Sequence, residues 1–156
     1  MNQYEAILND TDITILKLMQ DNARITNVAL AKKLKMAPSA VLERVRKLEE
    51  KGIIKGYSTK IDPAALNKEL LVFIFIKSSD GFGSEATAKA FAAVPEVQEV
   101  HNIAGDDCYL IKVRVANTTE LMELRRKRFS KIANIISMRT TIVLETVKET
   151  QTISIN

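Results

Sequence analysis

The sequence predicts an α+β chain in two parts, a three-helix unit closed by a short hairpin and then a βαββαβ unit. Three observations carry this prediction. Apolar residues recur at helical spacing as far as Leu48, whereas from Leu70 onward runs and period-two alternation of β-formers take over, interrupted by two helical stretches. Between them stands Asp62-Pro63, where proline restricts both itself and the residue before it. The predicted divisions are residues 1–62 for the first domain, 63–69 for a linker and 70–156 for the second domain.

In the first domain Leu8, Ile15, Leu16 and Met19 share one helix face, with Asn9, Asp10 or Thr11 able to cap it. Ile25 to Lys35 follows, with Thr26 as N-cap and Val28, Leu30, Ala31 and Leu34 as the apolar stripe, while Lys32, Lys33 and Lys35 look outward. A turn over Met36 to Ser39 opens a third helix. It is expected to bury Val41, Leu42, Val45 and Leu48, to expose Glu43, Arg44, Arg46 and Lys47, and to end at Gly52, which readily takes the left-handed conformation. Two helices about a short turn, the second with arginines on its free face, follow the helix-turn-helix plan. Ile53 to Ile61 reads as a hairpin turning near Gly56, which makes a wing bearing Lys55 and Lys60.

In the second domain the nearly continuous apolar run Leu70 to Lys77 reads as a strand buried on both faces. Ser84 can cap a helix through Ala86, Ala90 and Phe91 that stops before Pro95, and Val97 to Ala104 makes a second strand. After Gly105-Asp106-Asp107, Tyr109, Ile111, Val113 and Val115 alternate with Lys112 and Arg114, the clearest strand pattern in the chain. Thr118 or Thr119 caps the next helix, whose apolar face is Leu121, Met122, Leu124, Phe129 and Ile132; Arg125 and Arg128 lie close to that face, so at least one must snorkel or find a partner. Ile136 to about Val147 closes the unit. The order is the ferredoxin-like split βαβ plan, with helices on one sheet face and the other face open. An open face invites self-association.

Charge and composition narrow the function. From Asn22 to Lys60 there are ten basic and three acidic residues, whereas from Pro63 to the end there are twelve and eleven. An excess focused in one segment suits a surface that neutralises phosphates. With one cysteine, Cys108, and one histidine, His101, the chain has neither the pair for an internal disulfide nor a zinc ligand set. Cys108 reads as a small core or edge side chain and His101 as a strand residue. The longest apolar run, Leu70 to Ile76, is too short to span a membrane, and the start Met1 to Glu5 has no signal pattern, so a cytoplasmic protein is expected.

Several spaced motifs then point to one family. They are Leu8-x-x-x-Asp12-x-x-Ile15-Leu16, Asp21-x-x-Arg24-Ile25, and Pro38-Ser39-x-Val41-x-x-Arg44-Val45-x-x-Leu48-Glu49-x-x-Gly52-Ile53-Ile54-x-Gly56-Tyr57. Further on come Gly105-Asp106-Asp107-Cys108-Tyr109-Leu110 and Arg139-Thr140-Thr141-Ile142-Val143-Leu144. In order and spacing the chain resembles the Lrp/AsnC family of feast/famine transcription regulators over nearly its whole length. Three departures stand out: Ala37 replaces a frequent serine, passing the cap role to Ser39; Glu43 is often basic in relatives; and Ile132-Ala133-Asn134 replaces Leu-Pro-Gly, leaving Asn134 to make a left-handed turn.

The resemblance implies a DNA-binding regulator that is not an enzyme, needs no cofactor or metal, and answers to an amino-acid effector. Thr26, Asn27, Lys32 and Lys33 would lie at the DNA, with Ser39, Ala40 and Glu43 nearest the bases. Arg44, Arg46 and Lys47 would be shared between base edges and phosphates, and Lys55 and Lys60 would reach from the wing. Double-stranded DNA with a palindromic operator is the expected partner, read by a dimer and by dimers gathered into an octamer. The effector site implied by the family is the loop between the second and third strands, at Ile103, Ala104, Gly105, Asp106, Asp107 and Tyr109. Taken alone, Gly105-Asp106-Asp107 reads as a plain hairpin turn with Asp and Gly in their usual places, and it is the resemblance that turns the reading to an effector site. The alternatives are an architectural DNA-binding protein without effector response, and an amino-acid-binding protein or enzyme; the last lacks a nucleophile-and-base pair and a phosphate-binding loop.

Overall fold

The computed structural model describes residues 8–80 and 84–155, so the start Met1 to Glu5 lies outside the described residues. The chain divides into two units, one running to Thr59 and also taking in the chain from Glu149 on, the other Lys60–Lys148.

The first unit holds α1 (Asp10–Asp21), α2 (Asn27–Leu34) and α3 (Pro38–Glu50). The start of α1 is a capping box: Asn9 Oδ1 accepts from the Asp12 amide at 3.0 Å and the Asp12 carboxylate accepts from the Asn9 amide at 3.3 Å. Thr26 caps α2 by accepting from the Ala29 amide. The end of α3 is a Schellman turn, with the Ile53 amide donating to Leu48 O and Gly52 at φ 67°. Ile15, Leu30, Ala31, Val41, Val45 and Leu48 form the buried centre. Val28 and Leu42, expected inside, are 67% and 54% exposed. A three-helix core closes over only one side of each short helix, and both residues fall beyond it.

The expected wing hairpin is not formed within this chain. From Lys55 to Asp62 the backbone pairs with no strand, and Tyr57 folds back instead, its hydroxyl donating to Glu49 Oε1 at 2.8 Å. The last residues, expected in the second domain, group with the first unit, where the Gln20 carboxamide both donates to Ile153 O and accepts from Ile153 N.

The second unit opens with a 3-10 turn, Pro63–Leu66, capped by Asp62. It contains β1 (Leu70–Ser78), α4 (Glu85–Ala92), β2 (Val97–Asn102), β3 (Tyr109–Val115), α5 (Thr118–Lys127), a 3-10 turn Phe129–Lys131, and β4 (Ile135–Ile142). The sheet order is β2-β3-β1-β4 with every pairing antiparallel. On its covered face Val72, Ile74 and Ile76 of β1 and the alternate residues of β3 from Tyr109 to Val115 are buried against Phe91, Leu121, Leu124 and Phe129. Phe91 and Phe129 meet edge to face at 5.3 Å.

Several local expectations change here. β1 is not buried along the whole of both faces: Phe73 and Phe75 sit half-buried on the side away from the helices, where Leu71 alone of that row is buried, because among the described residues no second layer packs over them. Asn117, one residue before the expected threonines, caps α5. Met122 is exposed, lying one position off the buried Leu121 and Leu124. β4 stops at Ile142, leaving Leu144 and Val147 exposed. Ser84 precedes α4 without capping it, since its hydroxyl joins those of Ser78 and Thr87 at Asp80, and together they hold that carboxyl well below the usual carboxylate range. Two expectations hold: Arg125 finds Thr140 Oγ1 at 3.3 Å, and Asn134 takes the left-handed turn at φ 67°.

The two faces of β1 predict different costs. Ile74→Ala should lose about 2–5 kcal/mol in denaturant unfolding, while Phe75→Ala next to it should cost clearly less in the isolated chain. Equal losses would contradict the one-sided core.

Candidate DNA-binding surface and effector loop

The turn between α2 and α3 brings Lys35 to φ 53°, and Pro38 fills the first position of α3, where a missing N–H costs nothing. Ala37 offers no side-chain cap, and Ser39 does not replace it. Ser39 is exposed and Ala40 half-buried, at the free start of the helix.

Arg44 turns away from the outer face. Its Nη1 reaches Asp12 Oδ1 at 2.8 Å and Asn9 Oδ1 at 3.3 Å, so the guanidinium ties α3 to the capping box of α1. The two side chains are only 33% and 11% exposed. Arg44 therefore fixes where the third helix sits, a role that the sequence pattern of alternating apolar and basic residues does not distinguish from a free contact.

The other charges on α3 are paired among themselves. Glu43 lies within 3.1 Å of Arg46 and 3.5 Å of Lys47, and Arg46 also reaches Glu50 at 3.4 Å. Hydrogen bonding from Arg46, then from Lys47, lowers the Glu43 carboxyl below its ordinary pKa. Such exposed i,i+3 and i,i+4 pairs are weak and exchangeable. Among the described residues no carboxylate pairs with Lys32, Lys33, Lys55 or Lys60, so α2 and the segment after α3 carry uncompensated positive charge. Thr26 and Asn27 stand at the N-terminus of α2, whose first turn holds no acidic residue to oppose an approaching anion. Burial and the Glu49 carboxylate push the Tyr57 phenol up to about 12.

In the second unit, the loop between β2 and β3 is pinned at both ends: the Ile103 amide donates to Cys108 O at 3.1 Å and the Cys108 amide to Ile76 O at 2.8 Å. Ala104, Gly105 and Asp106 are exposed at its tip, with Gly105 at φ 143°. Among the described residues the amides from Ala104 to Asp107 donate to no protein acceptor. Asp107 Oδ2 accepts from Arg139 Nη2 at 2.9 Å, and the same guanidinium stacks 4.1 Å over the Phe75 ring. These contacts link the loop to the open face of the sheet. Tyr109 does not belong to the loop surface: its ring is fully buried in the core and its hydroxyl donates to Ser84 O, as its place in the β3 alternation requires. Sequence reasoning passed over Asp12 and Arg139 as site residues; each stands in a motif, but only the fold shows its partner. His101 is paired with Glu99 on β2, and Cys108 is half-buried.

A helix-turn-helix with unpaired lysines, joined to an open-faced sheet domain that presents a loop of free amides, defines a DNA-binding protein with a ligand-binding domain. Residues 8–55 match a family model described as winged helix-turn-helix DNA-binding, and residues 70–153 match the Lrp/AsnC ligand binding domain. The chain belongs to the Lrp/AsnC family of transcription regulators. It is 37% identical over 145 residues to the leucine-responsive regulatory protein of Haemophilus influenzae, covering 92% of this chain and 87% of that one. Among solved structures, a transcriptional regulator from Neisseria meningitidis in complex with L-Met superposes with a TM-score of 0.87 at 27% identity, over 96% of this chain and 97% of that one. The leucine response regulatory protein of Mycobacterium tuberculosis gives 0.81 at 31% identity, over 91% and 96%.

The Asp12 to Arg44 pair is directly testable. Arg44→Ala should lower unfolding stability by about 1–3 kcal/mol, because it strands a nearly buried carboxylate. Adding Asp12→Ala should cost less than the sum of the two single changes. Strict additivity in urea denaturation would show that the pair contributes nothing to holding α3.

Proposed function

We propose that the chain binds a palindromic operator as a dimer and that an amino acid, held at the loop between β2 and β3, shifts its activity or assembly. The observation that carries the effector reading is that loop. Its free amides suit a carboxylate, and the exposed Asp106 suits an amino group, the two charges that every amino acid carries. The bound L-Met of the meningococcal relative supports the same ligand class. Ile103, Ala104, Gly105 and Asp106 then form the contact, Asp107 holds the loop through Arg139, and Tyr109 supports it from within the core.

The open face of the sheet, with half-buried Phe73 and Phe75, is the surface for the second copy, and further association of dimers into an octamer brings effector loops together. Two copies present two α3 helices about a two-fold axis, which matches a palindrome. Thr26, Asn27, Lys32, Lys33, Lys55 and Lys60 position the phosphates, while Ser39, Ala40, Glu43, Arg46 and Lys47 face the groove. Arg44 acts behind them, through Asp12. No catalytic step or cofactor is needed, and the protein works in the cytoplasm with its DNA. Among the described residues no helix is long and apolar enough to cross a membrane, and no cluster of metal ligands occurs.

A thermal-shift screen against the twenty amino acids tests the effector reading. One or a few should raise the melting temperature, by the equivalent of about 2.7 kcal/mol at a hundred times Kd, and Asp106→Ala should abolish the rise. No response to any of them would leave an architectural DNA-binding protein as the better account. For DNA, replacing Lys32 and Lys33 by alanine should flatten the plot of log affinity against log salt by about 0.9 for each phosphate no longer neutralised. An unchanged slope would remove α2 from the interface.

A further inference from the structure

Leu42 is the one residue of α3 whose chemistry and placement disagree. The neighbouring apolar residues Val41, Val45 and Leu48 are 0%, 6% and 3% exposed, yet Leu42 is 54% exposed. It lies three residues after Ser39 and four before Arg46, so the three form a stripe along one outer flank of the helix. That flank borders a cleft of about 540 Å³, whose lining includes Arg24, Thr26, Asn27, Arg46 and Tyr57. An alkyl group is thus set between a hydroxyl and a guanidinium, beside the N-terminus of α2.

On the base edges of a major groove, the one apolar feature is the C5 methyl of thymine. Arg24 and Arg46, both in the lining of the cleft, give the flank the charge that a duplex requires, and the exposed pairs of Arg46 with Glu43 and Glu50 are of the kind that yields to phosphate or guanine. We propose that Leu42 is a specificity-determining residue that packs against a thymine methyl in each operator half-site. The assignment rests on the DNA-binding reading above and adds to it a base and a functional group.

The test begins with selection of duplexes from a random-sequence library by the full-length wild-type protein. In the selected duplex, each thymidine is then replaced in turn by deoxyuridine, which deletes only the methyl group. At one position per half-site the wild-type protein should bind about fourfold more weakly, the loss expected for one buried methyl. Leu42→Ala should bind the thymidine and deoxyuridine duplexes alike, and Leu42→Met should keep part of the preference; melting curves of both variants check that they remain folded. Equal binding of all deoxyuridine duplexes by the wild type would overturn the proposal and leave DNA binding intact, as would a Leu42→Ala variant that kept the methyl preference. Failure of the library to yield any preferred sequence would overturn the sequence-specific reading beneath it, and this assignment with it.

Discussion

The strand Leu70–Ser78 is held between two antiparallel neighbours, and a strand has two faces. That constraint divides its apolar run. Val72, Ile74 and Ile76 turn to the helices and make the core, so Phe73 and Phe75 are left on the opposite side. The alternation of β3 follows from the same register, with Ile74 opposite Ile111 and Val72 opposite Val113. Tyr109 is thereby drawn into the core, while the residues just before it must leave the sheet as a loop. The placement of β4 beside β1 sets Arg139 opposite Phe75, where it can stack on the ring and still reach Asp107. One strand's position therefore produces the core, the open face and the anchoring of the loop between β2 and β3.

The loop and the open face are coupled by that single guanidinium. Its contact with Asp107 and its stacking on Phe75 share one side chain, so neither can shift without disturbing the other. The link is built from one ion pair and one cation–π contact.

The helical unit distributes charge differently from the count along its sequence. Its basic excess suggests a recognition helix bristling with free arginines, but Arg44 is committed to Asp12, and Arg46 and Lys47 are neutralised by Glu43 and Glu50. Lysines of α2 and of the segment after α3 are left without a carboxylate partner among the described residues.

The order of elements, the cap at Thr26, the stop at Gly52 and the alternation of β3 were legible in the sequence, because each depends on neighbours within a turn or along one strand; the α1 cap was narrowed only to Asn9, Asp10 or Thr11, and the structure selects Asn9. Asn134 was legible for the same reason, since the need for a left-handed residue is local. The wing was not: residues rich in β-formers make a hairpin only if a partner strand is present, and here Tyr57 bonds to Glu49 instead. The exposure of Leu42, Val28 and Met122 was equally hidden, because helical spacing shows which residues share a face but not how far a neighbouring helix extends over it. The charges and motifs by themselves determined the class of protein and the elements that carry its sites. Which arginine braces a helix and which face of the sheet stays open depended on the tertiary structure, because each is settled by contact between residues far apart in the chain.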